Sequence, residues 1–326
     1  MLVDSFDRTI RNLRISITDR CNLRCLYCMP VHPHWMARKE ILTFEELTRL
    51  SRVAVSLGVE KIRLTGGEPT VRRDLPDFVR QLSRLEGLKD LSLTTNGILL
   101  DKLARPLWDS GLRRINISLD TLKGDRFEEM TRRESFQRTW KGLEAADRAG
   151  FSPLKVNVVV IKGHNEDEVV DFARLAREKL WQVRFIEFMP LDAEGNWNRE
   201  KVVPAQEIIG RISERYPLEK VSDVPASDPA RRYRFLDGCG EFGVIASVTE
   251  PFCGSCDRIR ITADGKLRTC LFSHRETDLK TPMRDGAGDE NLAEIIKAVI
   301  WKKEAGHGMD DPSFLKPDRA MYLIGG

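Results

Sequence analysis

The feature that most narrows the fold is a series of six strand-like segments, each followed by a helix-like or turn-rich stretch, between residues 12 and 188. Strand signals fall at residues 13–17, 61–64, 90–95, 114–119, 155–161 and 183–188. Helix signals lie between them. Thr43-Phe44-Glu45-Glu46 is a capping box opening a helix to residue 57, which Gly58 stops. Asp74 is placed to cap a helix to residue 85. Further helices end near Trp108 and Gly111, span 136–149 before Gly150, and span 166–179. Such a series requires a parallel sheet with helical crossovers, either doubly wound or barrel-like. Polar residues on the strands decide between the two. Arg14 and Ser16 share a face, as do Lys61 and Arg63, Asn116 and Ser118, and Lys155 and Asn157. Parallel strands covered on both faces read as unbroken apolar runs. Polar positions at period two therefore predict a lined interior. The expected fold class is α/β: a partial (β/α)6 TIM-like barrel over residues 1–220, with its site at the C-terminal ends of the strands.

Beyond residue 190 the pattern changes. A polar loop at 192–199 leads to one helix over 205–216 and a connector over 221–232 rich in Pro, Ser, Asp and Arg. A hairpin follows, with Asp264-Gly265 turning 258–262 into 266–269. Residues 221–326 are expected to form an α+β extension that closes the barrel. A chain of 326 residues accommodates this division and can bury a large core without disulfide support.

Six of the seven cysteines fall in two tight groups. Cys21, Cys25 and Cys28 are spaced C-x3-C-x2-C on the loop after the first strand, and Cys253, Cys256 and Cys270 frame the hairpin. Thiols gathered so closely call for a soft metal or an iron–sulfur cluster, and they imply a reducing, cytoplasmic compartment. Each group is one ligand short of a tetrahedral zinc or a fully ligated four-iron cluster. His32 or His34 would complete a zinc knuckle at the first group. Cys239 would complete one at the second, since it precedes Cys253 by the same interval that separates Cys256 from Cys270. Both options stay open on spacing alone. The net charge of +3 supplies no global field for nucleic acid, and no run of apolar residues is long enough for a membrane span. The first eleven residues are charged throughout and do not read as a secretory signal.

The first cysteine motif, with Tyr27 before its last thiol, resembles the signature of the radical S-adenosylmethionine superfamily. Gly66-Gly67-Glu68-Pro69 after the second strand is similar to the turn with which those enzymes hold the methionine amino group. The second group lies in Phe252-Cys253-Gly254-Ser255-Cys256-Asp257-Arg258-Ile259-Arg260, which resembles the C-terminal segment of the GTP 3′,8-cyclases of molybdenum cofactor biosynthesis. Leu13 to Cys21, Thr94-Thr95-Asn96-Gly97, Asn116 to Asp120, Arg184 to Met189 and the terminal Gly325-Gly326 extend the likeness over essentially the whole chain.

The resemblance implies two [4Fe–4S] clusters, on Cys21, Cys25 and Cys28 and on Cys253, Cys256 and Cys270, with S-adenosylmethionine at the first. It implies conversion of GTP to (8S)-3′,8-cyclo-7,8-dihydroguanosine 5′-triphosphate. Tyr27, Gly67, Glu68, Ser118 and Met189 match positions around S-adenosylmethionine. Arg14, Arg63, Thr94, Lys155, Arg258, Ile259 and Arg260 match positions around GTP. Gly325 and Gly326 are expected to enter the cavity as a thin tail with a part in catalysis. The implied partners are cyclic pyranopterin monophosphate synthase downstream and a flavodoxin- or ferredoxin-type reductant; a homodimer is left open. Cys239 departs from the family's cluster positions and is expected to be a spare thiol. Two other readings compete. One is a radical S-adenosylmethionine enzyme that modifies a peptide, and the other is a zinc-binding interaction module.

Overall fold

The computed structural model describes residues 1–309, 311 and 314–325. The first part alternates as its hydrophobic pattern requires. It runs β1 (Asn12–Ser16), α1 (Phe44–Ser56), β2 (Lys61–Thr65), α2 (Leu75–Leu82), β3 (Asp90–Thr95), α3 (Leu100–Asp109) and β4 (Arg114–Ser118). It continues through α4 (Gly124–Thr131), α5 (Phe136–Ala149), β5 (Lys155–Val160), α6 (Val169–Lys179) and β6 (Gln182–Glu187). The C-terminal part contributes α7 (Ala205–Ser213), β7 (Leu218–Lys220), β8 (Arg231–Phe235), β9 (Glu241–Ile245), β10 (Arg258–Ile261) and β11 (Lys266–Arg268). It ends with β12 (Thr277–Asp278), α8 (Lys280–Arg284), α9 (Asp289–Trp301) and α10 (Met321–Ile324).

All twelve strands form one sheet in the order β12-β11-β10-β1-β2-β3-β4-β5-β6-β9-β8-β7. Strands β1 to β6 pair in parallel with their sequence neighbours. Two strands from the C-terminal part continue the parallel run at its two edges, β10 beside β1 and β9 beside β6. Residues from β1 through β6, β9 and β10 line one cavity. The sheet is therefore curled around that cavity rather than open and flat.

Residue parity explains which face is which. Leu13, Ile15, Ile62, Leu64, Leu93, Ile117, Val156, Val158 and Phe185 belong to one core cluster with Leu47, Leu50 and Phe78 of the surrounding helices. Each such side chain contributes roughly 1.5–3 kcal/mol by leaving water. The intervening positions carry Arg14, Arg63, Ser118, Asn157 and Arg184, all on the cavity wall. A parallel sheet with one polar face is stable here because that face encloses a site.

Local signals held in most places. Thr43 and Glu46 form the expected reciprocal cap, at 3.2 and 2.7 Å. Asp74 is a correction. It occupies the cap position of α2, but its backbone is left-handed (φ 61°) and its side chain makes no cap bond. The helix expected over 166–179 begins as a tighter turn, Glu166–Glu168, before α6. Helix α4 went unpredicted, as did β7 and α9. No helix among the described residues is long and apolar enough to cross a membrane.

Candidate active site

The first thiol loop leaves the C-terminal end of β1 and is gripped from two sides. On one side the turn after β2 holds it: the Gly67 N–H donates to the Thr18 carbonyl at 2.8 Å and the Glu68 N–H to that of Arg20 at 2.7 Å. A Cβ on Gly67 would lie 2.5 Å from the carbonyl oxygens of both Asp19 and Arg20. The close approach that demands glycine is thus to the chain's own loop, although Gly67 also faces the cavity. On the other side the end of α4 accepts the Arg24 and Leu26 N–H groups, through Thr131 and Met130, at 2.9 and 3.0 Å.

Glu68 is buried and heavily engaged. Its carboxylate accepts from the Thr70 N–H (3.0 Å) and hydroxyl, the Thr95 hydroxyl (2.6 Å) and the Asn96 N–H (2.6 Å). Burial raises its pKa, and these donors offset part of the rise. It braces the turn against β3 as well as lining the cavity.

Burial and the nearby Glu68 carboxylate push the Cys21 thiol up to about 12. Burial and neighbouring thiols raise Cys25 and Cys28 as well. Three thiols so placed ionise together only against added positive charge, which is what the irons of a cluster supply. The donor set therefore fits a cluster. In the second group, Cys253 opens a short turn (Cys253–Ser255), the Cys256 N–H returns to the Cys253 carbonyl at 3.1 Å, and Cys270 follows β11. Burial raises Cys253 and Cys270. At Cys256 burial is outweighed by Arg258 and Lys303, which bring it down to about 7.

All six thiols line the same cavity. His32 and His34 are exposed and absent from its wall, so neither completes a zinc knuckle. Cys239 is exposed on the turn joining β8 to β9. It lies at the opposite end of β9 from Cys253, a strand length of roughly 16 Å at about 3.3 Å per residue. There the adjoining Asp237 pairs with Arg177 of α6 at 2.5 Å. The four-cysteine zinc site is excluded on that ground. Cys239→Ser is accordingly expected to retain the full iron content of the parent protein, measured colorimetrically after anaerobic purification.

The cavity is cationic. Arg14, Arg63, Arg184, Arg258 and Arg260 line it, and none forms an ion pair with a carboxylate among the described residues. Asp90, the acid that acts most strongly on Arg63, is committed to Arg114. One guanidinium nitrogen of Arg258 is buried without a partner. Burial, then mutual repulsion, lowers Arg14 well below its usual range, Arg63 and Arg260 to about 10, and Arg184 to about 9. A multiply charged anion relieves all of these at once.

Of the residues singled out from sequence, Tyr27, Gly67, Glu68, Thr94, Ser118, Met189, Arg14, Arg63, Arg258 and Arg260 line the cavity with the six thiols. Lys155 and Ile259 are not on its wall. Lys155 lies low in the barrel, where burial and then Arg184 and Arg114 lower it to about 7. The Ile259 side chain points into the apolar core. Sequence reasoning passed over Arg184, which bonds Asn116 and Asn157 at 2.7 Å each, and Asp120, which accepts from the Tyr27 hydroxyl at 2.6 Å. Strand parity pointed to both. His307, also on the wall, had no sequence signal.

The C-terminal tail returns to the barrel. In α10 the Tyr322 ring meets Trp35 edge-on at 6.1 Å, and the Tyr322 N–H faces the Cys28 thiol. Gly325 is buried with φ 90°, and its carbonyl accepts from Arg260 at 2.6 Å. A Cβ there would lie 2.9 Å from the Ser16 Cβ and 3.0 Å from the Thr65 Cγ2. Gly326 lies outside the described residues.

Residues 15–176 match the Radical SAM superfamily, and residues 181–309 match the family described as Molybdenum Cofactor Synthesis C. A GTP 3′,8-cyclase of Streptomyces coelicolor is 47% identical over 100% of this chain and 96% of its own length. The chain belongs to the GTP 3′,8-cyclase family. A mitochondrial GTP 3′,8-cyclase of Arabidopsis thaliana is 46% identical over 100% of the chain and 84% of its own length, so the cyclase family reaches across kingdoms at this similarity. Among solved structures, Streptococcus suis SuiB bound to S-adenosylmethionine aligns with a TM-score of 0.65 over 93% of this chain and 68% of its own, at 15% identity. That likeness carries the radical S-adenosylmethionine fold and no more.

Proposed function

We propose that the chain converts GTP to (8S)-3′,8-cyclo-7,8-dihydroguanosine 5′-triphosphate, the first step of molybdenum cofactor biosynthesis. The observation that carries this reading is a single cavity walled by two three-thiol groups and by five guanidinium groups that pair with no carboxylate among the described residues. Residues 1–220 form the radical-generating core in this reading, and 221–326 carry the second cluster.

Cys21, Cys25 and Cys28 would hold one [4Fe–4S] cluster and Cys253, Cys256 and Cys270 a second. A cluster held by the first group would supply the one-electron cleavage of S-adenosylmethionine, and one held by the second would take part in binding guanine. The chain does the positioning. Tyr27, Gly67, Ser118 and Met189 shape the S-adenosylmethionine side, with Glu68 bracing the turn. Arg14, Arg63, Arg258 and Arg260 neutralise the triphosphate and fix the ribose for hydrogen abstraction at C3′. Thr94 stands beside them, Lys155 adds charge from below, and Ile259 holds its two flanking arginines at cavity-facing parity. The apolar parts of the wall, including Phe252 and Met189, keep water from a reactive primary radical. The product passes to cyclic pyranopterin monophosphate synthase, and a flavodoxin- or ferredoxin-type protein supplies the electron. Free thiols of this kind fit a reducing, cytoplasmic setting.

The test is direct. Anaerobically purified protein is expected to contain about eight irons per chain with matching labile sulfide, and to form the cyclised nucleotide from GTP, S-adenosylmethionine and dithionite. Stoichiometric zinc without sulfide would end this reading.

A further inference from the structure

Lys303, just past the end of α9, is 3% exposed. Its ammonium group donates to the main-chain carbonyls of Arg258, at 3.1 Å, and of Thr269. Those carbonyls sit two residues after Cys256 and immediately before Cys270. Lys303 forms no ion pair with a carboxylate among the described residues. The neighbouring Glu304 is committed to the hydroxyls of Thr269 and Ser273, at 2.6 and 2.5 Å. The placement is rigid, because buried Arg8, itself paired with Asp4 at 2.6 Å, clamps the carbonyls of Cys253, Glu304 and Ala305 at 2.6–2.8 Å.

Two neutral carbonyls need donors, and an uncharged amide would serve them. A full positive charge buried there exceeds that need and is costly unless negative charge stands nearby. Substrate phosphates are not that charge, since Lys303 is absent from the cavity wall while Arg258 and Arg260 are on it. The Glu304 carboxylate keeps its charge and is close enough to act on Lys303. The ammonium group, however, donates to the carbonyls beside Cys256 and Cys270 and not to Glu304, which sets its charge against the second thiol group. Three thiolates on a four-iron core leave a cluster net anionic, and its potential responds to local charge and hydrogen bonding.

We infer that Lys303 is the resident counter-charge of the second thiolate site and sets the reduction potential of the cluster held there. It is a positioning residue that touches neither substrate nor S-adenosylmethionine. The inference rests on the two-cluster reading above and adds to it the group that tunes the second centre.

The experiment uses the full chain with Cys21, Cys25 and Cys28 replaced by alanine, so that only the second site can carry a cluster. Redox titration followed by electron paramagnetic resonance compares this parent with added Lys303→Gln or Lys303→Arg. Glutamine keeps a donor for the carbonyls and removes the charge; arginine keeps the charge. Lys303→Gln is expected to disfavour reduction at least tenfold, a shift of about 59 mV to lower potential for one electron. Lys303→Arg is expected to stay well inside that shift. Loss of iron from the glutamine variant alone is the same charge requirement read at assembly. A glutamine variant with the parent's potential overturns the inference, and so does loss of iron from both variants, which would make Lys303 a packing residue. A parent holding no iron at the second site is a different result, and it overturns the two-cluster reading itself.

Discussion

Cys25→Ala is expected to abolish reductive cleavage of S-adenosylmethionine, whereas Cys256→Ala is expected to keep cleavage and lose cyclisation of GTP. The asymmetry follows from the two ends of the cavity. Cys25 belongs to the loop gripped between the turn after β2 and α4, beside Ser118, Asp120 and Met189. Cys256 sits beside Arg258 and Arg260 on the wall that β10 supplies. Removing one thiolate of three leaves a cluster site that cannot close. The residual rate of the affected step should be below about one-thousandth of the parent. 5′-Deoxyadenosine and cyclised nucleotide are quantified separately by chromatography. Equal loss of both activities in both variants, with the other cluster intact, would mean that the two sites do not divide the labour.

Gly325→Val is expected to cost turnover at least tenfold while leaving iron content and melting temperature close to the parent. The substitution meets two independent obstacles. At φ 90° a β-branched residue is strained by at least roughly 1–2 kcal/mol. Its Cβ would also press, at 2.9 and 3.0 Å, on Ser16 and Thr65, which are buried and paired with each other across β1 and β2. The tail is driven out, and Arg260 loses its carbonyl partner. Deletion of Gly325 and Gly326 should match the valine variant. The main core contains no tail residue, and Ile324 joins only the small cluster around Leu191 and Phe272, so a large fall in melting temperature would instead mark the tail as a structural strap. Unimpaired turnover in both variants would make it an idle terminus.

Much of this architecture was legible because strand parity is a local property. Alternation of Leu13, Arg14 and Ile15 assigns each side chain to the core or the cavity without knowledge of any partner strand. Gly58 and Gly150 likewise announce helix ends by themselves. What escaped depends on distant partners. Strands β9 and β10 are short, and nothing in Glu241–Ile245 says that it continues the parallel run beyond β6. Helix α4 begins at a glycine and spans eight residues, too few for a periodic signal to stand out. Arg184 was legible by parity but sits among the apolar Val183, Phe185 and Ile186, which hid it. The reason Gly67 must be glycine was invisible, since the carbonyls it would strike belong to a loop 47 residues earlier in the chain.

The pairing of β1 with β10 carries a consequence for biogenesis. Asn12 finds its neighbour Arg258 only after almost the whole barrel has been made. At about 5–20 residues per second, the first strand waits roughly ten to fifty seconds on the ribosome with one edge unpaired. During that interval the loop of Cys21, Cys25 and Cys28 has no second wall beside it and no tail across it. Insertion of the first cluster therefore has a natural window that opens when β2 pairs with β1 and shuts when the last residues dock. A ribosome stalled before β10 should present a loop that accepts iron and sulfide readily, and release of the complete chain should slow that uptake.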